Sequence, residues 1–240
     1  MEEVQWLEVA GDTRVAVSAY HRFGTDAILL SHFSAPRPGE TVYELGTGCG
    51  AMALRLCALG RPAAVHGVDI DPEAIALAQR SAEAFAGHPV PTFQVADWEQ
   101  PATLGAPGRW RLVVCNPPYF APDTGAVSRE DTHRRIRHET PTTLPAVCAA
   151  AARLLQYGGR FCLCHRPERL PAVLAALSAA GLEPKRLQPV CQRGDKAPWL
   201  LLIEARKGGH PGLLWEPAMV LEEADGTPTP LYREIYGRME

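Results

Sequence analysis

Short runs rich in Val, Ile, Leu and Phe alternate along this chain with longer Ala- and Leu-rich stretches whose apolar residues recur at helical spacing. The runs at 41–45, 64–69, 92–96, 112–115, 161–164 and 199–205 predict strands, and the stretches at 52–59, 72–85, 144–155 and 167–180 predict helices. Strands that are apolar on both faces and separated by helices predict a doubly wound, mostly parallel α/β sheet with helices on both faces. Ligands of such sheets bind beyond the carboxyl ends of the strands. The turns after Leu45, Asp69, Ala96 and Cys115 are therefore where chemistry is sought.

Three segments depart from this rhythm: the N-terminal segment 1–34, a polar loop at about 121–140, and the tail 209–240. Residues 100–108 carry too many Pro and Gly for a stable helix and predict a connection with little structure. In the tail, 213–221 lies between Pro211-Gly212 and Asp225-Gly226 and predicts an edge strand or hairpin arm. With 240 residues, 46% of them hydrophobic, one α/β domain with terminal additions is expected rather than two domains. Residues 1–34 are read as a lid or lead-in and 209–240 as a C-terminal extension.

Composition narrows the setting. The chain has no long unbroken apolar run, and its acidic opening Met1-Glu2-Glu3 is unlike an export signal, so a cytoplasmic protein without a membrane span is expected. The seven cysteines are odd in number and form no C-x-x-C pair, which predicts reduced thiols. Cys162, Cys164 and His165 resemble a metal cluster only superficially: period-two spacing puts both thiols on one strand face, and no metal is read here. A formal net charge of −3 lacks the basic excess of many nucleic-acid binders, so any RNA contact must rest on local patches.

The first strand runs into Gly46-Thr47-Gly48-Cys49-Gly50 and then a helix, an arrangement that lets backbone approach a ligand closely. Gly46, Gly48 and Ala51 also satisfy the dinucleotide pattern G-x-G-x-x-A, so an NAD(P) dehydrogenase is a rival. Asp69, in Val68-Asp69-Ile70-Asp71, suits the ribose hydroxyls of either cofactor. The later strand ends separate the two. Ala96-Asp97-Trp98 offers an acid for an adenine amine, with Trp98 or Ile70 to border the ring, and Asn116-Pro117-Pro118-Tyr119 follows the fourth strand. An S-adenosylmethionine site uses both features and a dehydrogenase uses neither. Taken one at a time, the glycines read as an ordinary tight turn and Asp69 and Asp97 as helix caps.

With Asn116-Pro117-Pro118-Tyr119 in this place, the sequence resembles the class I methyltransferases of the Asn-Pro-Pro-Tyr group, which act on the amine of adenine or guanine or the amide of glutamine. The resemblance implies a Rossmann-like methyltransferase sheet. A conjugated nitrogen has a delocalised lone pair and is a poor nucleophile. The Asn116 side-chain oxygen and the Pro117 carbonyl can accept both its hydrogens, Tyr119 or Phe120 can stack on the planar acceptor, and the two prolines stiffen the presentation. What remains is alignment of the reactants. Asn116, Pro117 and Tyr119 are the catalytic candidates; Glu44, Gly46, Thr47, Gly48, Gly50, Asp69, Ile70, Asp97, Trp98 and Asn116 are the cofactor-binding ones. Glu44 stands where relatives carry Asp, and is expected to orient the loop or the cofactor's methionine end.

Further matches extend this resemblance to the bacterial valine-tRNA adenine-N6 methyltransferase family. They are Phe23-Gly24-Thr25-Asp26-Ala27-Ile28-Leu29-Leu30, Arg137-His138-Glu139, the run His165-Arg166-Pro167-Glu168-Arg169-Leu170, and Pro184-Lys185-Arg186-Leu187. That family implies methylation of the adenine beside the anticodon, drawn from its stack into the pocket. Phe23 and Asp26 then lie on a segment closing over cofactor or base, or else begin an amphipathic helix with Asp26 in its first turn. His133, Arg134, Arg135, Arg137 and His138 concentrate positive charge for phosphates, with Arg166, Arg169, Lys185 and Arg186 as a possible extension or a solvated surface. Substrate-binding candidates are Phe23, Asp26, Phe120, Arg134, Arg135 and Arg137, and tRNA is the expected partner. The competing readings are a release-factor glutamine N5 methyltransferase, an rRNA guanine-N2 methyltransferase and a non-catalytic cofactor-binding RNA module.

Overall fold

The computed structural model describes residues 4–60, 62–117 and 143–236. Strands β1 (Gln5–Ala10) and β2 (Thr13–Val17) pair as an antiparallel hairpin. There follow α1 (Thr25–Ser34), β3 (Thr41–Leu45), α2 (Ala51–Gly60), β4 (Ala64–Asp69), α3 (Pro72–Glu83), β5 (Thr92–Val95) and β6 (Trp110–Cys115). After the gap come α4 (Leu144–Leu154), β7 (Leu155–His165), α5 (Leu170–Ala179), β8 (Leu182–Arg193), β9 (Leu200–Lys207), β10 (Leu214–Trp215), β11 (Met219–Glu222) and α6 (Pro230–Tyr236). The main sheet has the order β10-β8-β9-β7-β6-β3-β4-β5, with β11 also on β8.

Strands β3 to β7 are mutually parallel and β9 alone runs against its neighbours β7 and β8. The α/β sheet is therefore mostly parallel, as the alternation predicts. Period-two geometry sorts each strand between two cores. Val42, Leu112, Val114, Cys162 and Cys164 pack with α1, α2 and α3. Tyr43, Leu45, Val113, Cys115, Phe161 and Leu163 pack with α4 and α5 on the other face. Cys162 and Cys164 thus share a strand face, and all seven cysteines are free and buried. Among the described residues no helix is long and apolar enough to cross a membrane.

Several boundaries differ from the sequence expectation. The helix expected over 167–180 is split: Pro167–Arg169 is a 3₁₀ turn and α5 begins only at Leu170, with Pro171 in its first turn. Strand β7 extends well before residue 161, running straight out of α4. Two elements have no counterpart in the periodicity. The hairpin β1-β2 lies in what reads as a lead-in, and β8 contains Pro184 and Pro189, which normally count against a strand. Its ladder accommodates them with a register shift between Pro184 and Arg186. The tail supplies the expected edge strand: β10 and β11 both lie parallel to β8, and the chain turns back after β11 through an antiparallel bridge between Glu222 and Pro228.

The sheet's amino-terminal end is knitted by buried charge. Arg160, 7% exposed, contacts Glu40 at 2.7 Å, Glu204 at 3.1 Å and the Ser34 carbonyl at 3.1 Å, and Glu204 also receives Arg186. Removing one member of such a set strands the others without compensation. Arg160→Met is expected to cost about 3–5 kcal/mol of unfolding free energy, read from urea denaturation curves.

Candidate active site

The carboxyl ends of β3, β4, β5 and β6 come together at one edge, and the glycine loop after β3 is the tightest turn there. Gly46, Gly48 and Gly50 have φ of +72°, +54° and +82°, a region that favours glycine. The amides of Gly46 and Thr47 both donate to the Val68 carbonyl at 2.9 Å, and the Gly48 amide donates to Asp69 Oδ2 at 2.8 Å. The loop is thereby tied to the end of β4. A Cβ on Gly46 would lie 3.2 Å from the Trp98 ring, so the turn after β5 closes against the loop from the other side.

Glu44 lies beneath the loop, 2% exposed, and its Oε2 accepts the Thr47 hydroxyl at 2.7 Å. Burial pushes its carboxyl up to about 8, against the opposing effect of the Thr47 and Ala53 hydrogen bonds, and nearby Asp69 pushes it further up. The expected loop-orienting contact is present. Asp69 Oδ1 accepts the Asp71 amide at 3.0 Å; with Oδ2 on Gly48, each oxygen keeps a lone pair for a further donor. Asp71, not Asp69, caps α3 through the Glu73 amide. Asp97 accepts from the Glu99 amide and from Gln100 Nε2, so it stiffens its own turn while retaining acceptor capacity. Ile70 is 39% exposed beside these acids, an open apolar surface at the strand ends. A ribose-adenine moiety needs two acids and an apolar wall, and these residues fit it.

Asn116 and the buried Pro117 follow β6 directly. The last paired row of β6 and β7 is Cys115 with Leu163, so Asn116 stands beside Cys164 on the next row. The Cys164 thiol donates to Asn116 Oδ1 at 3.1 Å. Sequence spacing marks Cys164 only as core, because the contact depends on strand neighbours and register. Tyr119, Phe120, Arg134, Arg135 and Arg137, with His133 and His138, lie outside the described residues.

On the N-terminal side, Thr25 opens α1 with Asp26 in its first turn, its carboxylate accepting the Ala27 amide at 2.9 Å. Phe23 packs on the core, and the Tyr236 hydroxyl of α6 donates to the Thr25 carbonyl. Asp26 thus stands in the first turn as the helix-start reading has it, but α1 is not amphipathic, since Ala27, Ile28, Leu29, Leu30, Ser31, Phe33 and Ser34 are all buried. The proposed basic extension divides. Arg166 and Arg169 follow the carboxyl end of β7 beside Asn116, whereas Lys185 and Arg186 lie on β8, set apart from β7 by the intervening β9, with Arg186 on the row of Glu204 and Cys162. Arg186 is also spent on Glu204 and Glu216 and lies over the Phe33 ring. Arg186 is thus committed to carboxylates of the fold. His165, 2% exposed, accepts the Arg166 amide at Nδ1; burial, then Arg169, holds it down at about 4, so it is neutral.

Residues 22–168 match the family model of the methyltransferase small domain. The chain is 28% identical over 232 residues to the tRNA1(Val) (adenine(37)-N6)-methyltransferase of Tolumonas auensis, covering 91% of each chain. It is 31% identical over 192 residues to the protein of the same name from Porphyromonas gingivalis, covering 77% of this chain and 74% of that one. Among solved structures, it is similar to a predicted O-methyltransferase from Agrobacterium tumefaciens, with TM-score 0.73 and 19% identity over 90% of this chain and 97% of that one. It is also similar to geranyl diphosphate methyltransferase in complex with SAM, with TM-score 0.53 and 15% identity over 75% and 84% of the two chains. These structural likenesses speak to the fold.

Two measurements probe the loop. Gly46→Ala places a Cβ against Trp98 at φ +72°, and is expected to lower stability by about 1–2 kcal/mol in urea unfolding. Glu44 has a raised carboxyl, so the fold favours its protonated form. Its contribution is full below the ordinary value of 4.5 and falls as pH rises to about 8. Stability should fall across that window with a slope of at most about 1.4 kcal/mol per pH unit. Glu44→Gln should flatten the slope in denaturation curves taken from pH 5 to 9.

Proposed function

The chain belongs to the methyltransferase small-domain family, and we propose from that premise that it transfers a methyl group from S-adenosylmethionine to the N6 amine of an adenine near a tRNA anticodon. One observation carries the reading: Asn116 projects from the end of β6, with its amide oxygen fixed by Cys164, beside a glycine loop tied to Asp69. Its relatives named as tRNA1(Val) adenine-N6 methyltransferases align along most of the chain, well beyond the shared core.

When bound, S-adenosylmethionine supplies an electrophilic sulfonium methyl. Glu44 holds the loop from beneath through Thr47, and the backbone of Gly46, Thr47, Gly48 and Gly50 receives the methionine end. Asp69 accepts from ribose hydroxyls, Asp97 from the adenine amine, and Ile70 and Trp98 border the ring. The Asn116 Oδ1 and the Pro117 carbonyl would accept the hydrogens of the target amine. That favours a more tetrahedral, nucleophilic nitrogen.

Tyr119 and Phe120 stack on the target base. Arg134, Arg135 and Arg137 meet backbone phosphates, and Phe23 and Asp26 bound the pocket on its N-terminal side. Such localised charge reconciles an RNA substrate with the acidic overall balance. The whole chain acts as one cytoplasmic domain. Supporting that reading, buried Arg55 of α2 donates to the Val9 carbonyl of the N-terminal hairpin and to the Ile235 carbonyl of α6.

Labelled S-adenosylmethionine offered with separate pools of unmodified tRNA, rRNA and release factor should yield N6-methyladenosine in the tRNA pool. Label confined to rRNA guanine or a protein glutamine sinks the substrate assignment while keeping the acceptor site. Asn116→Ala should bind cofactor normally in calorimetry yet transfer at least about 100-fold more slowly; an unchanged rate would remove Asn116 from the chemistry.

A further inference from the structure

His21 lies in the segment between β2 and α1, far in sequence from α3, yet its ring faces the first turn of that helix. Its Nε2 is 3.6 Å from Asp71 Oδ2 and 3.7 Å from Glu73 Oε2. Both distances exceed a hydrogen bond. The imidazole is 4% exposed and neither ring nitrogen has a hydrogen-bond partner. A buried polar ring left this way is costly.

The three donor atoms lie within 4.8 Å of one another. Ligands held about 2.0–2.2 Å from a shared tetrahedral cation are separated by about 3.3–3.6 Å, close to the two distances found. One imidazole and two carboxylates form a donor set suited to zinc-type cations.

The ligand backbone is already set. Ser18 Oγ accepts the amides of Tyr20 and His21, and the Ser18 amide donates to the His21 carbonyl, closing a tight turn. Asp71 is held through its own amide by Asp69 and through Oδ1 by the Glu73 amide, and its Oδ2 is the oxygen nearest His21 Nε2. Second contacts of this kind orient metal ligands.

We propose that His21, Asp71 and Glu73 form a binding site for one divalent zinc-type cation, which fastens the segment ahead of α1 to the start of α3. The proposal does not depend on which base is methylated. Because Asp71 bonds to Asp69, the fastening bears on the strand end where a cofactor ribose is expected.

Zinc chloride titrated calorimetrically into chelator-treated full-length protein should show one ion per chain. Saturation at about a hundredfold excess over Kd should raise the melting temperature by roughly 5–10 °C. His21→Ala should abolish both effects. Glu73→Gln, at a half-exposed position that leaves the fold intact, should weaken zinc binding and shrink the thermal shift. Absence of zinc binding by the wild type would overturn the proposal. Zinc binding unchanged in Glu73→Gln, or in a folded His21→Ala, would overturn it equally.

Discussion

The edge where this protein gathers its functional groups depends on one constraint: the backbone leaving β3 must reverse within a few residues while staying fastened to β4. The Val68 carbonyl meets that demand by accepting two successive amides, from Gly46 and Thr47. Only glycine adopts the three positive φ values at low cost, and any Cβ at Gly46 would press on Trp98. The neighbouring parts follow from this turn. Asp69 is oriented by the Gly48 amide, Glu44 is sealed under Thr47, and α2 starts directly after the loop, its Leu54 amide bonded to the Gly50 carbonyl. A parallel sheet makes the arrangement possible, since all four contributing strands end at the same edge.

Much of this was legible in the chain because parallel strands are written as apolar runs and their ends as punctuation. β3 and β4 begin and end where the runs do, and the acids and Asn116 emerge at strand ends as expected. The legibility fails where two signals compete. β8 carries prolines and charges that argue against a strand, yet it is held between β9 and the tail strap, so tertiary pairing overrides local preference. Proline likewise cut the helix expected after β7, where a 3₁₀ turn intervenes. Cys164 reads as a core residue and is one, but it also reaches Asn116. No spacing rule reveals that dual role, since it arises from the row on which two strands happen to align.

Charge was the least legible property. Lys185 and Arg186 look in sequence like companions of Arg166 and Arg169, yet they lie on β8, with β9 standing between them and β7. There Arg186 neutralises Glu204 and Glu216. A sequence reports how many charges there are, while strand order in the sheet decides which neighbours they meet. The site end instead gets Arg166 and Arg169, set beside a neutral His165. A modest net negative charge is therefore compatible with an RNA-facing edge, because Coulomb interactions with phosphate are screened beyond about 8–10 Å and distant acids count for little.

The terminal segments also take on a physical role through Arg55. Its guanidinium is buried in α2, the helix that the glycine loop initiates, and donates to carbonyls of both the N-terminal hairpin and α6. A buried guanidinium is tolerable only if its donors find acceptors, so α2 is stably packed only when both ends of the chain are folded over it. The stacked Tyr232 and Tyr236 add a second tie, since Tyr236 bonds to the first residue of α1. Disturbing either terminus should therefore be felt at the start of α2, and through it at the loop. Segments that look peripheral in the sequence are thus mechanically continuous with the turn on which the candidate cofactor site is built.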